Sequence, residues 1–345
     1  MDRVACVDLA PFMADGASLE SLAACADVAR SLRETGIVIL RDPRVSAAAS
    51  SVFLDMVEEY FAQDDALKLA DERPGLHYQV GTTPEGVEVP VKRSTACVAR
   101  IAAMPVQHQP SNVTGPDPKW RFFWRIGERP DDVMFEDLNA APVVPAAFPA
   151  WATTMDHWGG LLLEAVTACA EMAALGLGLH RAAISSLMRQ GPHLLAPTAS
   201  DLSKYSRVGQ TLAGWHSDLN LLTIHGRSRY PGLHVWLRDG SKVAVCVPTG
   251  CLLVQAGQQL EHLTAGHIRV GMHEVVVTDT ALAIARQAAL EGRPPWRISS
   301  TLFAHVASSA TLAPLPPFEA AGYPPITAGE QVIAMLTQLE LCKCP

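Results

Sequence analysis

The sequence predicts an α+β chain, mainly β in its C-terminal half: a sandwich or jelly roll behind a helical N-terminal part. Three observations carry this. Apolar residues recur at helical spacing in several stretches before residue 190. From 194 to 310, short apolar runs alternate with turn signals such as Arg238-Asp239-Gly240-Ser241, Pro248-Thr249-Gly250 and Ala265-Gly266. Hydrophobic residues make up 49% of the 345 and charged residues 18%, enough for a sizeable core and too apolar for a disordered chain.

In chain order, residues 4–9 read as a short strand. Ser18 is placed to cap a helix of amphipathic spacing that Gly36 closes. Ile37-Val38-Ile39-Leu40 reads as a buried strand, and a second helix follows over about Ala47 to Gln63, with Phe53, Met56, Tyr60 and Phe61 as core. From 74 to 150 the pattern loosens. Tyr78-Gln79-Val80-Gly81 reads as a strand edge, and Arg121 to Gly127 as a short aromatic strand with two cations. The region is long for a connector and is expected to pack over something. Arg93, Arg100, Arg121 and Arg125 are candidate substrate contacts, each readable also as a solvated or structural arginine.

Phe148-Pro149-Ala150-Trp151 starts the longest helix, which stops at Gly176–Gly178; a shorter one over about Arg181 to Arg189 ends at Gly191-Pro192. Leu194 opens the β half. Its one interruption, residues 280–296, is alanine-rich and reads as a helical insertion closed by Gly292. The expected division is an N-terminal helix and strand segment over 1–150, support helices over 151–193, the β core over 194–310, and a tail with a helix over 311–345.

Net charge is −8 without a dense Lys/Arg block, which argues against phosphate-driven nucleic-acid binding and leaves small molecules as partners. The first residues carry two acids and no long apolar core, so no signal peptide is expected, and no apolar run is read as spanning a bilayer. The expectation is a cytosolic monomer. Eight cysteines lie scattered without a zinc-like pair; most are expected in the core, with Cys342 and Cys344 as tail thiols in a poor match to a prenylation box.

The chemistry concentrates in Gly214-Trp215-His216-Ser217-Asp218 and in Val270-Gly271-Met272-His273. On a strand, residues i and i+2 share a face, so His216 and Asp218 would project into one cavity. His273 lies 55 residues beyond Asp218, just before a β-branched run. Two imidazoles and a carboxylate on one side of a metal leave the other side vacant, the facial arrangement of non-haem Fe(II) oxygenases. With twelve histidines in the chain, a His-x-Asp pair alone is weak, and His216 also reads as an ordinary polar residue on a β face. Its context lifts it: Gly214 at a strand start, and His273 answering on a second strand. No cysteine is placed to join them, which disfavours closed structural zinc.

Taken in order, His216-x-Asp218-Leu-Asn-Leu-Leu-Thr, Pro231-Gly-Leu-His-Val-Trp, Val247 to Gly257, Leu260 to His267, His273-Glu-Val-Val and Arg297-Ile-Ser299 resemble the isopenicillin N synthase-like branch of the Fe(II)/2-oxoglutarate-dependent oxygenases. The leading strand–helix–strand and Phe122-Phe-Trp-Arg-Ile-Gly are similar to other parts of that family, so the resemblance covers nearly the whole chain. The ordered series is specific, although no single piece is. It implies a double-stranded β-helix (jelly-roll, cupin-like) core flanked by N-terminal helices, with His216, Asp218 and His273 as iron ligands. It also implies that Arg297 and Ser299 hold the distal carboxylate of 2-oxoglutarate, a grip that a guanidinium and a hydroxyl on one strand face can supply.

Two departures stand out. Arg297 lies 24 positions beyond His273 where the family has a short hairpin, matching the insertion at 280–296. Where relatives often carry a co-substrate tyrosine, Leu194-Leu195-Ala196-Pro197 has none; either Tyr205 is displaced into that role or the role is empty. The implied function is oxidation of a small organic substrate by O2, through hydroxylation, desaturation or cyclisation. Rival readings are a 2-oxoglutarate-independent oxidase or cyclase, a zinc hydrolase with the same ligands, and a non-catalytic β-domain. Trp215, Trp236 and the 74–130 region can line an apolar pocket or serve as core.

Overall fold

A computed structural model describes residues 4–89, 94–113, 115–131 and 134–341; Arg93, Cys342 and Cys344 lie outside these. Helices begin and end where small polar residues and glycine permit. The Ser18 hydroxyl accepts the Ser21 N–H at 3.2 Å and starts Leu19–Thr35. Gly36 ends that helix at φ 83°, a left-handed conformation that costs glycine little, with its N–H on the Leu32 carbonyl. Ser46 caps Ala47–Phe61 and Thr278 caps Asp279–Leu290 in the same way, and Thr327 with Glu330 forms a reciprocal capping box on Ala328–Gln338.

The strands are β1 (Cys6–Asp8), β2 (Ile37–Arg41), β3 (Gly81–Thr83), β4 (Trp120–Ile126), β5 (His193–Leu195), β6 (Thr198–Asp201) and β7 (Thr211–His216). They continue as β8 (Leu222–His225), β9 (Leu233–Trp236), β10 (Lys242–Ala244), β11 (Cys251–Ala256), β12 (Met272–Val276), β13 (Trp296–Ser299) and β14 (Thr301–Ala304). A ten-stranded sheet runs β1-β2-β11-β8-β14-β5-β4-β6-β13, with β3 beside β4, and a four-stranded sheet runs β10-β9-β12-β7. Thr311–Leu312 pairs with Ile326–Thr327 apart from both.

Alternation along the strands gives the large sheet two unlike faces. One presents Trp120, Phe122, Trp124, Leu195, Ile224, Val254 and Leu302, all buried in one cluster with Phe53, Tyr60, and Met155, Trp158 and Leu162 of the helix Trp151–Gly176. Each such side chain contributes about 1.5–3 kcal/mol on burial. On the opposite face, Ile37, Ile39 and Leu253 pack on Val235 of the small sheet, which holds the two sheets together at that end.

Several sequence expectations are corrected. Tyr78 sits in a left-handed turn at φ 57°, not on a strand edge, and the strand begins at Gly81. A helix, Gln258–Leu263, interrupts the β half as well as the one at Asp279–Leu290; a short apolar run does not distinguish the two structures by periodicity. The helix Trp151–Gly176 is long and apolar enough to cross a membrane by length and composition, because its few acids do not offset its Ala, Leu and Met content; half of its most apolar stretch is buried in the core. Of the described cysteines, Cys25, Cys169 and Cys251 are buried, whereas Cys6 and Cys246 are exposed and Cys97 is intermediate, so the core takes half of them rather than most.

Candidate metal centre and anion pocket

Strands β7 and β12 pair antiparallel with His216 directly opposite His273. Paired residues point to one face, and the two rings lie with centroids 4.2 Å apart. Asp218 arrives differently from the sequence argument. The ladder ends at His216, and Asp218 sits in the loop beyond it. Backbone bonds carry it back: the N–H groups of Gly257, Gln258 and Gln259 donate to the carbonyls of Leu221, Asp218 and Asn220 at 2.9–3.1 Å. The approach is so close that a Cβ on Gly257 would stand 1.9 Å from the Asn220 carbonyl oxygen, so only glycine lets this clamp close. Gly214 lies inside β7, not at its start.

Asp218 Oδ1 lies 3.6 Å from His216 Nε2 and 3.9 Å from His273 Nε2, and one ligand atom from each residue falls within 4.8 Å of the others. His216 Nδ1 donates to the Gly214 carbonyl at 2.6 Å, which leaves the Nε2 lone pair for a cation. The other Asp218 oxygen accepts the Thr223 hydroxyl at 2.6 Å. Burial opposes the charge on Asp218, but His273 and His216 outweigh it and hold the carboxyl far below its usual range. Burial, with His216 alongside, pushes His273 down to about 3 and keeps it neutral. For His216 burial also favours the neutral ring, yet Asp218 reverses this and raises its pKa. An ionised carboxylate between two imidazoles is a donor set that suits a divalent cation. The His216 side chain is 41% exposed against 8% for Asp218 and 7% for His273, so the cluster opens on the His216 side.

The Thr223 hydroxyl fixes the orientation of the Asp218 carboxylate. Should the cluster hold a divalent cation, Thr223→Val would weaken its binding about tenfold to a hundredfold with the fold intact, as anaerobic titration with Fe(II) would measure.

Arg297 and Ser299 share one face of β13. In register, Arg297 pairs with Ser200 and Ser299 with Thr198, which itself pairs with Arg121 of β4. The polar face of the large sheet therefore runs from Arg297 through Ser299 to Arg121. Arg297 is 7% exposed, and its only hydrogen bond among the described residues runs from Nε to the Pro231 carbonyl at 3.3 Å. No described carboxylate pairs with it, and burial alone pushes its guanidinium down to about 10. A buried cation without a counter-charge is expensive, and an incoming anion removes that cost. The Ser299 hydroxyl lies 3.5 Å from the Thr198 carbonyl.

Tyr205 donates its hydroxyl to Glu85 Oε2 at 2.8 Å and packs beside Leu202, Leu212, Tyr230 and Val277; no bond joins it to Arg297 or the triad. Leu194, in the stretch without a tyrosine, lies in an apolar patch with Phe123, Ala196 and Phe303.

The four arginines separate. Arg93 is outside the described residues. Arg100 lies over the Trp215 ring at 5.3 Å, on the face of β7 turned away from His216. Trp236, which meets Trp215 edge-on, shares that outer face because it pairs with Met272 while Val235 pairs with His273. The two tryptophans therefore do not line the metal side. Arg125 is spent on the carbonyls of Ile126, Glu128, Gln190 and Gly191 and on Asn139 Oδ1. Arg121 stands on the site face, 4.0 Å over the Phe123 ring, and Arg125 follows on that face of β4 with its guanidinium turned to those carbonyls.

Arg121 belongs to a cluster that the sequence reading missed. Its Nη1 pairs with Glu88 at 2.6 Å; Lys119 reaches Glu88 at 3.0 Å and Asp117 at 2.9 Å; Asp117 accepts the Gly214 N–H at 3.0 Å. Burial raises the Glu88 carboxyl, but Lys119, then Arg121, and more weakly His216, outweigh it and hold it at about 2. Burial opposes the Lys119 ammonium, which Asp117 and Glu88 nevertheless hold above its usual range. Two charges of each sign cancel, so the group borders the triad without adding net charge. His225, Gln255 and Thr301 were missed as well, although the period-two spacing from Thr223 to His225 puts them on one face.

No protein-family model matches the chain, and no curated protein matches its sequence. Solved structures do match. A protein assigned to the 2OG-Fe(II) oxygenase family from Caulobacter crescentus is 21% identical over 97% of this chain and 98% of its own, with a TM-score of 0.73. A full-length Neurospora crassa protein, solved in complex with alpha-KG, is 17% identical over 96% and 95%, also at 0.73. JOX2, solved with 2OG, Fe and JA, is 16% identical over 100% and 94%, at 0.68. At these identities the likeness is one of fold.

Proposed function

We propose that the chain is an Fe(II)- and 2-oxoglutarate-dependent oxygenase that oxidises a small organic substrate with O2, and that its two sheets are the halves of a double-stranded β-helix. The observation that carries this is a His-Asp-His cluster open on one side, combined with a buried arginine that lacks a carboxylate partner among the described residues. Both fit the groups they would hold: the triad offers neutral nitrogens and one anionic oxygen, and Arg297 offers an unsatisfied fork to a carboxylate. When bound, iron and 2-oxoglutarate supply O2-driven oxidation, the co-substrate leaving as succinate and CO2.

The remaining roles belong to the protein. His216, Asp218 and His273 hold the metal, with Thr223 and the Gly214 carbonyl orienting two of them. Arg297 and Ser299 anchor the far carboxylate. The Phe123, Leu194 and Phe303 patch keeps the neighbouring wall dry. Substrate enters on the His216 side, where Glu88, Lys119 and Arg121 offer polar contacts. The Neurospora crassa protein has been solved with thymine and JOX2 with JA, unlike compounds on one fold, so the fold does not select the substrate.

An oxidase that takes all its electrons from substrate, or a zinc hydrolase, would need a carboxylate on its own substrate to meet Arg297. The test is anaerobic Fe(II) titration with and without 2-oxoglutarate. A weak visible charge-transfer band on adding 2-oxoglutarate, and succinate release on admitting O2, are the expected results. Iron binding without the band would favour the oxidase, and no iron binding would favour a non-catalytic domain.

A further inference from the structure

We infer that His225 is a positioning residue of the co-substrate pocket: backed by Gln255, it turns the Thr301 hydroxyl so that this hydroxyl donates to the distal carboxylate of the bound 2-oxo acid. The inference rests on the function proposed above.

Strand β8 lies between β11 and β14 in the large sheet. His225 follows Thr223 on the same face, and Thr223 grips the metal-binding carboxylate. The His225 ring centroid is 6.3 Å from that of His273. Directly across β14, in register, is Thr301. Ser300 beside it turns to the helical side, where its hydroxyl accepts the Trp158 indole N–H at 2.7 Å. Its neighbours Ser299 and Thr301 therefore point the other way, and Arg297 with them. Arg297, Ser299 and Thr301 form one row of polar groups that leads from the buried cation towards His225. The neighbouring wall is apolar at Phe123 and Leu194.

The bonding of His225 gives the row a direction. Nδ1 is 3.1 Å from Thr301 Oγ1, and Nε2 is 2.7 Å from the Gln255 amide. With the amide oxygen on Nε2, the Gln255 N–H group is left buried without a partner. A half-turn of the amide gives one N–H to Nε2, moves the carbonyl oxygen into the unpartnered place, where an unpaired acceptor is the less costly orphan, and puts the imidazole proton on Nδ1. Nδ1–H then donates to Thr301, whose own hydrogen is free to point onward to an acceptor.

The test uses the Fe(II)-loaded protein under anaerobic conditions and two probes, 2-oxoglutarate and pyruvate; pyruvate chelates alike but lacks the distal carboxylate. Thr301→Val and His225→Leu are each expected to weaken 2-oxoglutarate about tenfold, the scale of one hydrogen bond to a charged group. Pyruvate affinity should change less than twofold, and Thr301→Ser should restore 2-oxoglutarate binding. The double variant should bind no more weakly than either single one, because both lose one bond. Equal losses for both probes would reduce His225 to a brace between strands and overturn the inference. Unchanged 2-oxoglutarate affinity in Thr301→Val would also overturn it while leaving the proposed function standing. A wild-type protein that binds iron but not 2-oxoglutarate would remove both.

Discussion

Replacing Asp218 by alanine is expected to abolish specific metal binding. Asp218 is the only anionic member of the cluster, its Oδ1 lies between both imidazoles, and its burial makes the charge count for more than it would in water. Two neutral rings alone make a poor site. The loss should exceed the tenfold to hundredfold typical of removing a group that merely supports a ligand. Thermal denaturation reads this directly. A cation at a hundred times its dissociation constant stabilises the wild-type fold by about 2.7 kcal/mol, and the variant should gain none of it. A second readout has a definite sign. Asp218 raises the His216 pKa, so its removal should let that pKa fall, and proton NMR of the metal-free variant will register the shift. A variant that kept its metal-dependent stabilisation would put the cation elsewhere.

Arg297→Met is expected to separate binding from stability. The side chain is buried, spends one bond on the Pro231 carbonyl, and has no carboxylate partner among the described residues. An isolated buried cation weakens the fold, so methionine, of similar length and without charge, should leave the melting temperature of the ligand-free protein unchanged or higher. Affinity for 2-oxoglutarate should fall by about thirtyfold or more, since truncating one partner of a buried charged pair costs about 2–5 kcal/mol. A large drop in stability with unaltered 2-oxoglutarate binding would show that Arg297 is structural and that the acid is anchored by other groups.

Local rules made part of this legible. Ser18 and Gly36 mark a helix because a hydroxyl satisfies free N–H groups and glycine tolerates φ 83°. His216 and the Arg297–Ser299 pair are readable because strand alternation is a property of neighbouring residues, and His273 because a β-branched run follows it. Asp218 was found by that same rule for a reason that does not hold, since the ladder has ended by then and the Gly257–Gln259 backbone sets its place. What stayed hidden depends on partners far apart in sequence. Glu88 meets Lys119 across 31 residues and Arg121 across 33, and His225 meets Thr301 across 76; no periodicity announces such pairings. The resemblance left Tyr205 either displaced into the co-substrate role or outside it, and in the fold its hydroxyl goes to Glu85.

The helix Asp279–Leu290 joins β12, in the four-stranded sheet, to β13, at the end of the ten-stranded one. Since those two strands share no hydrogen-bond ladder, nothing in their pairing counts the residues between them. Whole turns of helix can be gained or lost there over generations while the histidine and the arginine at either end keep their stations. It is a place where the gene can vary in length and the chemistry need not notice.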